Sequence, residues 1–114
     1  MTDNTNSNAK TADRTRGTVS TIILKLLTRK PMYGYEMIQA VNERSNGYFV
    51  WREGSLYPIL HRLEAEGFVV SEMRLAENGK PRRYYRLTPQ GEKRCTAEVA
   101  DAQAFCTALT ALLA

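Results

Sequence analysis

Ser55, Tyr57, Pro58, His61 and Arg62 fall within one stretch, EGSLYPILHRLEAEG, between Glu53 and Gly67. Hydroxyl, imidazole and guanidinium groups at this spacing suit hydrogen bonding to phosphates and base edges. The stretch reads as a helix with two unlike faces. At about 100° per residue, Leu56, Ile59, Leu60 and Leu63 gather on one stripe. The opposite side carries Tyr57, Pro58, His61, Arg62 and Ala65, with few bulky apolar groups, so it can enter a groove. Arg62 is suited to a bidentate contact with guanine, worth about 1–3 kcal/mol of discrimination. Its bland alternative is a surface pair with Glu66, worth only about 0.3 kcal/mol. His61, the single histidine of the chain, has no partner in sequence for metal binding or catalysis. It is either a groove contact or simply solvent-exposed. Ser55 and Tyr57 sit near the helix start, where backbone N–H groups and the helix dipole favour phosphate. Plain capping by Ser55, and packing of Tyr57 under the next element, are the competing roles.

That next element is basic. FVVSEMRL and RRYYRL are two β-prone runs around AENGKP, and Asn78-Gly79 is a strong hairpin signal because a tight turn needs positive φ. From Lys80 to Arg94 the chain carries Lys80, Arg82, Arg83, Arg86, Lys93 and Arg94 against Glu92 alone. Lys80, Arg82 and Arg83 are expected to touch phosphates, which adds affinity without sequence choice. Arg86 and Lys93 read as ordinary solvated charges. A helix followed by a basic hairpin is the layout of a winged helix-turn-helix, with the helix in the major groove and the hairpin on the backbone.

Two earlier helices are needed to hold that pair. Thr18 to Arg29 has apolar residues at Val19, Ile22, Ile23, Leu26 and Leu27, and Pro31 ends it. A second helix runs from about Gly34 to Arg44, with Tyr35, Met37, Ile38 and Val41 facing inward; Asn46-Gly47 breaks it. Tyr33 and Gly34 open this helix, where it can meet the DNA backbone. Ser55 as N-cap of the third helix would put Pro58 at the third helical position, where its missing N–H costs nothing. Gly67 ends that helix, and Thr88 with Pro89 starts the last one. The fold expected is mostly α with a small β-hairpin (α+β): a polar tail over residues 1–16, a winged-helix domain over 17–88, and a long helix over 89–114. The tail, with Lys10, Arg14 and Arg16, is expected to be disordered, or else to follow DNA as a flexible arm.

The last helix carries Cys95, Val99, Ala102, Cys106, Leu109 and Leu113, spaced by four, three, four, three and four residues. This is a heptad seam, widened by Phe105 and Leu112. Pairing with another copy would bury it, and a twofold dimer would present two recognition helices to a palindromic site. The alternative is that the helix folds back on its own domain. Cys95 and Cys106 are eleven residues apart on one helix, roughly 16 Å in rise, so they cannot bridge within a chain. Seam packing accounts for both; a redox switch between Cys95 and Cys106 of the partner subunit is the sharper alternative. Tyr48, Phe49 and Trp51 form either core or one wall of a ligand pocket.

These residues together resemble a known family. Pro31-Met32-Tyr33-Gly34-Tyr35-Glu36, then Gly54-Ser55-Leu56-Tyr57-Pro58, Leu60, Arg62-Leu63-Glu64 and Gly67, and finally Arg83-Tyr84-Tyr85 with Leu87-Thr88 and Gly91, look like the PadR family of transcriptional regulators. The short C-terminal part is similar to the small subfamily with one dimerisation helix. The resemblance implies a homodimeric winged-helix repressor released by a small, often aromatic or cationic, drug-like effector. In some small members a tryptophan on the last helix stacks on that ligand. Here the sole tryptophan is Trp51, ahead of the third helix, which leaves Trp51 and Phe105 as candidate ligand contacts.

Composition agrees and narrows the alternatives. The chain has 114 residues, a net charge of +4 and an isoelectric point near 9.3, mild evidence for an anionic partner. Two cysteines are too few for a disulfide-stapled secreted domain, and neither a signal peptide nor a membrane-length apolar run is present, so a cytoplasmic location is expected. No Ser/His/Asp or Cys/His set, carboxylate pair, metal-ligand cluster or phosphate-binding glycine loop points to catalysis, a metal or a cofactor. The rival reading is a winged-helix module that docks a protein through its third helix. That reading would call for exposed apolar anchors where His61, Arg62 and Ala65 stand.

Overall fold

A computed structural model describes residues 17–114; the tail expected over residues 1–16 lies outside the described residues. Helix α1 spans described residues 17–27, α2 Gly34–Arg44, α3 Glu53–Ala65, strand β1 Val69–Leu75, strand β2 Pro81–Leu87 and α4 Pro89–Leu113. The strands pair antiparallel from Val69↔Leu87 to Leu75↔Pro81. Gly79, with φ of +81°, closes the turn between them; its N–H donates to the Ala76 carbonyl at 2.8 Å. The α+β winged-helix architecture expected from sequence is the one observed.

One apolar core joins every element. Ile23, Leu24, Leu26 and Leu27 of α1 meet Met37 and Val41 of α2, Leu56, Leu60 and Leu63 of α3, Val69 and Tyr85 of the hairpin, and Cys95 of α4. Each aliphatic residue so buried contributes about 1.5–3 kcal/mol. Leu24 lies off the stripe read from sequence, yet it is fully buried; α1 is therefore covered more widely than one amphipathic face requires. The sequence also gave no sign that Met32 would bridge to Tyr85 through N–H···O bonds in both directions, at 3.1 and 2.9 Å. This single bridge adds a third stretch of backbone to the edge of the hairpin and ties it to the entrance of α2.

Three expectations need correction. Helix α3 begins at Glu53 behind Arg52, not behind Ser55. The N–H groups of Ser55 and Leu56 both donate to the Arg52 carbonyl, at 3.1 and 3.0 Å. Pro58 therefore lies inside the helix, where proline removes the bond to the residue four before it. That residue is Gly54, exposed and with nothing near its Cβ position, so water can reach the orphaned carbonyl and the buried leucines keep the helix in place. Tyr35 does not face inward: it is 52% exposed and accepts a hydrogen bond from Gln39 at 3.0 Å. It lies about 200° around the helix from buried Met37. Of the aromatic trio, only Trp51 packs against the core. Tyr48 is 83% exposed and meets Phe49 edge to face at 5.1 Å, on a turn where Asn46 and Gly47 take positive φ.

Candidate nucleic-acid interface

Burial of Leu56, Leu60 and Leu63 fixes the rotation of α3 and leaves Gly54, Ser55, Pro58, His61, Arg62 and Ala65 exposed. The small residues Gly54, Pro58 and Ala65 let a surface come close to the helix backbone between the longer His61 and Arg62. Among the described residues, Arg62 forms no ion pair with Glu66 or any other carboxylate, so the bland role considered for it is absent. Tyr57 occupies the border of this face. It is half-buried and its ring lies 6.4 Å from that of His61.

The opening of α2 is built around Tyr57. A Cβ at Gly34 would stand 2.8 Å from the Tyr57 hydroxyl oxygen, so glycine is what allows α2 and α3 to approach here. Gly34 itself is buried; its contribution is space rather than a contact of its own. Tyr33 precedes it, half-buried, with its backbone N–H donating to a Glu36 carboxylate oxygen at 3.1 Å.

Strand alternation divides the basic residues of the hairpin between two faces. Arg83 shares a face with Ser71 and Tyr85 and donates to the Ser71 hydroxyl at 3.2 Å. That hydroxyl and the Ser71 N–H both donate to Glu64 of α3, at 2.8 and 3.1 Å. Arg83 is thus linked through Ser71 to α3. Burial pushes the Tyr85 phenol up, Glu64 adds to the shift and Arg83 opposes it, so this ring remains a protonated core member. Arg82 lies on the other face beside Tyr84 and Arg74, with its guanidinium over the Tyr33 ring at 5.7 Å. Lys80, exposed at the turn, has its backbone N–H tied to the Asn78 side chain at 3.0 Å. Arg74 was missed by the sequence reading; its position opposite Arg82 depends on register, which composition does not carry.

Helix α4 leaves the domain partway along its length. Thr88 caps it, accepting from the Gly91 N–H at 3.0 Å and donating its hydroxyl to the Gly67 carbonyl at 2.7 Å. Cys95 is buried in the chain's own core and Val99 packs partly against it. Beyond Val99 the rest of the expected seam, Ala102, Phe105, Cys106, Leu109 and Leu113, is exposed. Leu112 and Leu113 are 83% and 76% exposed. The seam therefore has two parts, one serving its own domain and one uncovered. Burial pushes the Cys95 thiol up, against the opposing charge of Lys25; at 4% exposure it sits within the core of its own chain. Thiol alkylation of the protein kept monomeric by Leu109→Glu should accordingly modify Cys106 roughly tenfold or more faster than Cys95, read by peptide mass spectrometry; equal rates would contradict this packing.

A groove of about 490 Å³ runs between α1 and α4, lined by Ile22, Glu98, Asp101, Ala102, Phe105 and Cys106 among others. Glu98 accepts from the Thr21 hydroxyl at 3.0 Å and pairs with Arg94 at 2.6 Å, a bond that raises the Arg94 pKa and keeps it charged. Trp51 does not line this groove, so the two candidate ligand residues, Trp51 and Phe105, are not brought together there. Among the described residues no His/Cys/Asp/Glu group is arranged to hold a metal ion, and no helix is long and apolar enough to cross a membrane.

Comparison with known proteins places these features in context. The sequence model of the transcriptional regulator PadR-like family matches residues 23–97. The transcriptional regulator Rv3488 of Mycobacterium tuberculosis is 51% identical over 53 residues, 46% of this chain and 48% of that protein. A transcriptional regulator from Clostridium thermocellum superposes with a TM-score of 0.77 at 32% identity, covering 90% of this chain and 99% of the other. A PadR-like transcriptional regulator from Bacillus cereus does so with a TM-score of 0.74 at 26% identity, covering 85% and 92%.

Proposed function

Because this chain belongs to the PadR-like family of transcriptional regulators, we propose that it binds a palindromic operator as a homodimer, represses the gene behind it, and is released by a small effector. The observation that carries this reading is the outward face of α3. His61 and Arg62 stand exposed between small residues, next to a hairpin whose Lys80, Arg82 and Arg83 supply positive charge on both its faces. Arg62 and His61 read base edges, Ser55 and Tyr57 meet phosphates near the start of α3, and the hairpin follows the backbone. Protein docking through α3 is the weaker reading, since the exposed large apolar residues lie on α4, on the turn before α3, on β1 and on α2, and none on this face.

The homodimer reading rests on the uncovered part of α4. Phe105, Leu109, Leu112 and Leu113 form an exposed apolar row that a second copy would cover, setting the distance between two α3 helices. An effector that fits the groove between α1 and α4 would meet Phe105 and the carboxylates of Glu98 and Asp101, which suits an aromatic cation. Release follows if the effector binds tighter to a dimer whose two α3 helices are wrongly spaced for DNA.

Fluorescence anisotropy with the promoter upstream of the protein's own reading frame, against an unrelated duplex of equal length, tests this. At about 150 mM salt, non-specific binding is weaker than roughly micromolar, so preference for the promoter should be plain. Arg62→Ala should reduce that preference roughly 10- to 100-fold and leave binding to the unrelated duplex nearly unchanged. No preference for any segment of the flanking DNA would overturn the assignment.

A further inference from the structure

Glu64 is an unexpected residue on a helix that approaches DNA. It shares one side of α3 with Tyr57 and His61, at the spacing that makes helix neighbours. A carboxylate there repels phosphate, so it lowers affinity unless it does something that outweighs the repulsion. Its side chain is engaged by the hairpin. One carboxylate oxygen accepts both the Ser71 N–H at 3.1 Å and the Ser71 hydroxyl at 2.8 Å. That hydroxyl in turn accepts from the Arg83 guanidinium at 3.2 Å. Among the described residues no ion pair joins Arg83 directly to Glu64, so the Ser71 hydroxyl is the joint between them. A hydroxyl can donate to an acid and accept from a cation at the same time.

The place of this joint matters more than its strength. Val69 is buried, Val70 and Ser71 are half-buried, and Glu72 to Leu75 are exposed. Ser71 therefore marks the point where β1 leaves the body of the domain. On the opposite face of the hairpin, Tyr84 meets Tyr33 edge to face at 5.3 Å. One face is thus held by rings and the other by the hydrogen bonds to Glu64. From Ser71 to Leu75 the strand runs roughly 13 Å, at about 3.3 Å per residue. A tilt of about 10° at Ser71 would carry Leu75 sideways by about 2 Å, well beyond the roughly 0.5 Å range of a good hydrogen bond.

We propose that Glu64 is a positioning residue that sets the angle between the hairpin and α3, acting through the Ser71 hydroxyl and Arg83 and touching no DNA itself. The role rests on the DNA-binding reading above and adds to it an acidic residue that raises affinity for an acidic partner. With the joint made, α3 and the hairpin meet DNA as one rigid surface. With the joint broken, the hairpin must be ordered at the moment of binding, which lowers affinity.

The sign of the effect separates positioning from charge. By charge alone, removing a carboxylate near DNA strengthens binding. Glu64→Ala should instead weaken binding of the full chain to the promoter and to an unrelated duplex alike, by roughly tenfold at equal salt. Ser71→Ala, which changes no charge, should do the same. Glu64→Gln keeps the accepting oxygen and loses the charge, so it should bind at least as tightly as the parent, and Ser71→Thr should match the parent. Hydrogen exchange without DNA gives a second readout. Hairpin amides beyond Ser71 should exchange faster in both alanine variants, with protection of α1 and α2 unchanged, which shows that the fold persists. Glu64→Ala binding as tightly as the parent, Glu64→Gln failing along with it, or unaltered hairpin exchange would each overturn the role. Promoter preference is read separately through Arg62→Ala. Its absence, with the Glu64 and Ser71 effects present on both duplexes, would remove the operator reading and leave Glu64 in its role. Failure of the parent to bind either duplex at low salt would overturn both.

Discussion

A Gly91→Ala variant is expected to melt roughly 10 °C or more below the parent protein. Gly91 sits in the first turn of α4, and a Cβ placed there would stand 2.0 Å from the Phe68 carbonyl oxygen and 3.1 Å from a Leu87 methyl. Backbone cannot swing aside as a side chain can. The same carbonyl accepts the Thr88 N–H at 3.1 Å, and Thr88 holds both Gly67 and Gly91 through its hydroxyl. Moving α4 outward therefore loosens its whole N-cap. Alanine gains up to about 1 kcal/mol over glycine in a helix. Overpacking costs about 1–3 kcal/mol, and weakening the cap adds roughly 1 kcal/mol, so the loss prevails. Gly54→Ala supplies the opposite case, since nothing lies within 4 Å of its Cβ position; it should leave the melting temperature unchanged or slightly raised. Calorimetry on the two variants decides the matter, and equal behaviour would show that α4 does not press on the α3–β1 corner as described.

What was legible in the sequence was what local chemistry controls. The period of Leu56, Leu60 and Leu63 fixed the buried stripe of α3, the Asn78-Gly79 pair placed the turn, and Thr88-Pro89 placed the start of α4. The bounds of α2 were also plain, because proline and glycine bracket it. Properties that depend on register or on neighbours were hidden. Ser55 looked like a cap because its side chain can cap, but Arg52 provides the capping carbonyl and the helix starts a turn earlier, leaving Pro58 inside. Arg82 and Arg83 looked equivalent until the pairing of the strands put them on opposite faces. Arg74 drew no notice, since only the ladder brings it to Arg82. Tyr35 shows the same limit on a helix: an aromatic residue near an apolar stripe was assigned to the core, while the angle from Met37 turns it to solvent.

Leu109→Glu should convert the proposed dimer to a monomer at micromolar concentration without unfolding the domain. Leu109 belongs to the part of α4 that lies past Val99, where no described element of the same chain packs fully over it; it is 43% exposed. The domain's own core ends at Cys95 and Val99, so a charge ten residues beyond Val99 leaves that core intact and the helical circular dichroism should persist. In a twofold seam each substitution counts twice. Burying unpaired carboxylates costs several kcal/mol, and a combined loss of roughly 4 kcal/mol raises the dissociation constant about a thousandfold. Ala111→Glu is the matched control, since it lies about 200° around the helix from Leu109 and faces away from the seam. Sedimentation velocity should show a dimer for the parent and for Ala111→Glu, and a monomer for Leu109→Glu. Operator affinity should fall with it, because a monomer reads one half-site and loses the cooperation of two α3 helices on one piece of DNA. A Leu109→Glu protein that still sediments as a dimer would mean that the apolar end of α4 is not the contact between copies, and the spacing of the recognition helices would then have to be set elsewhere on the domain.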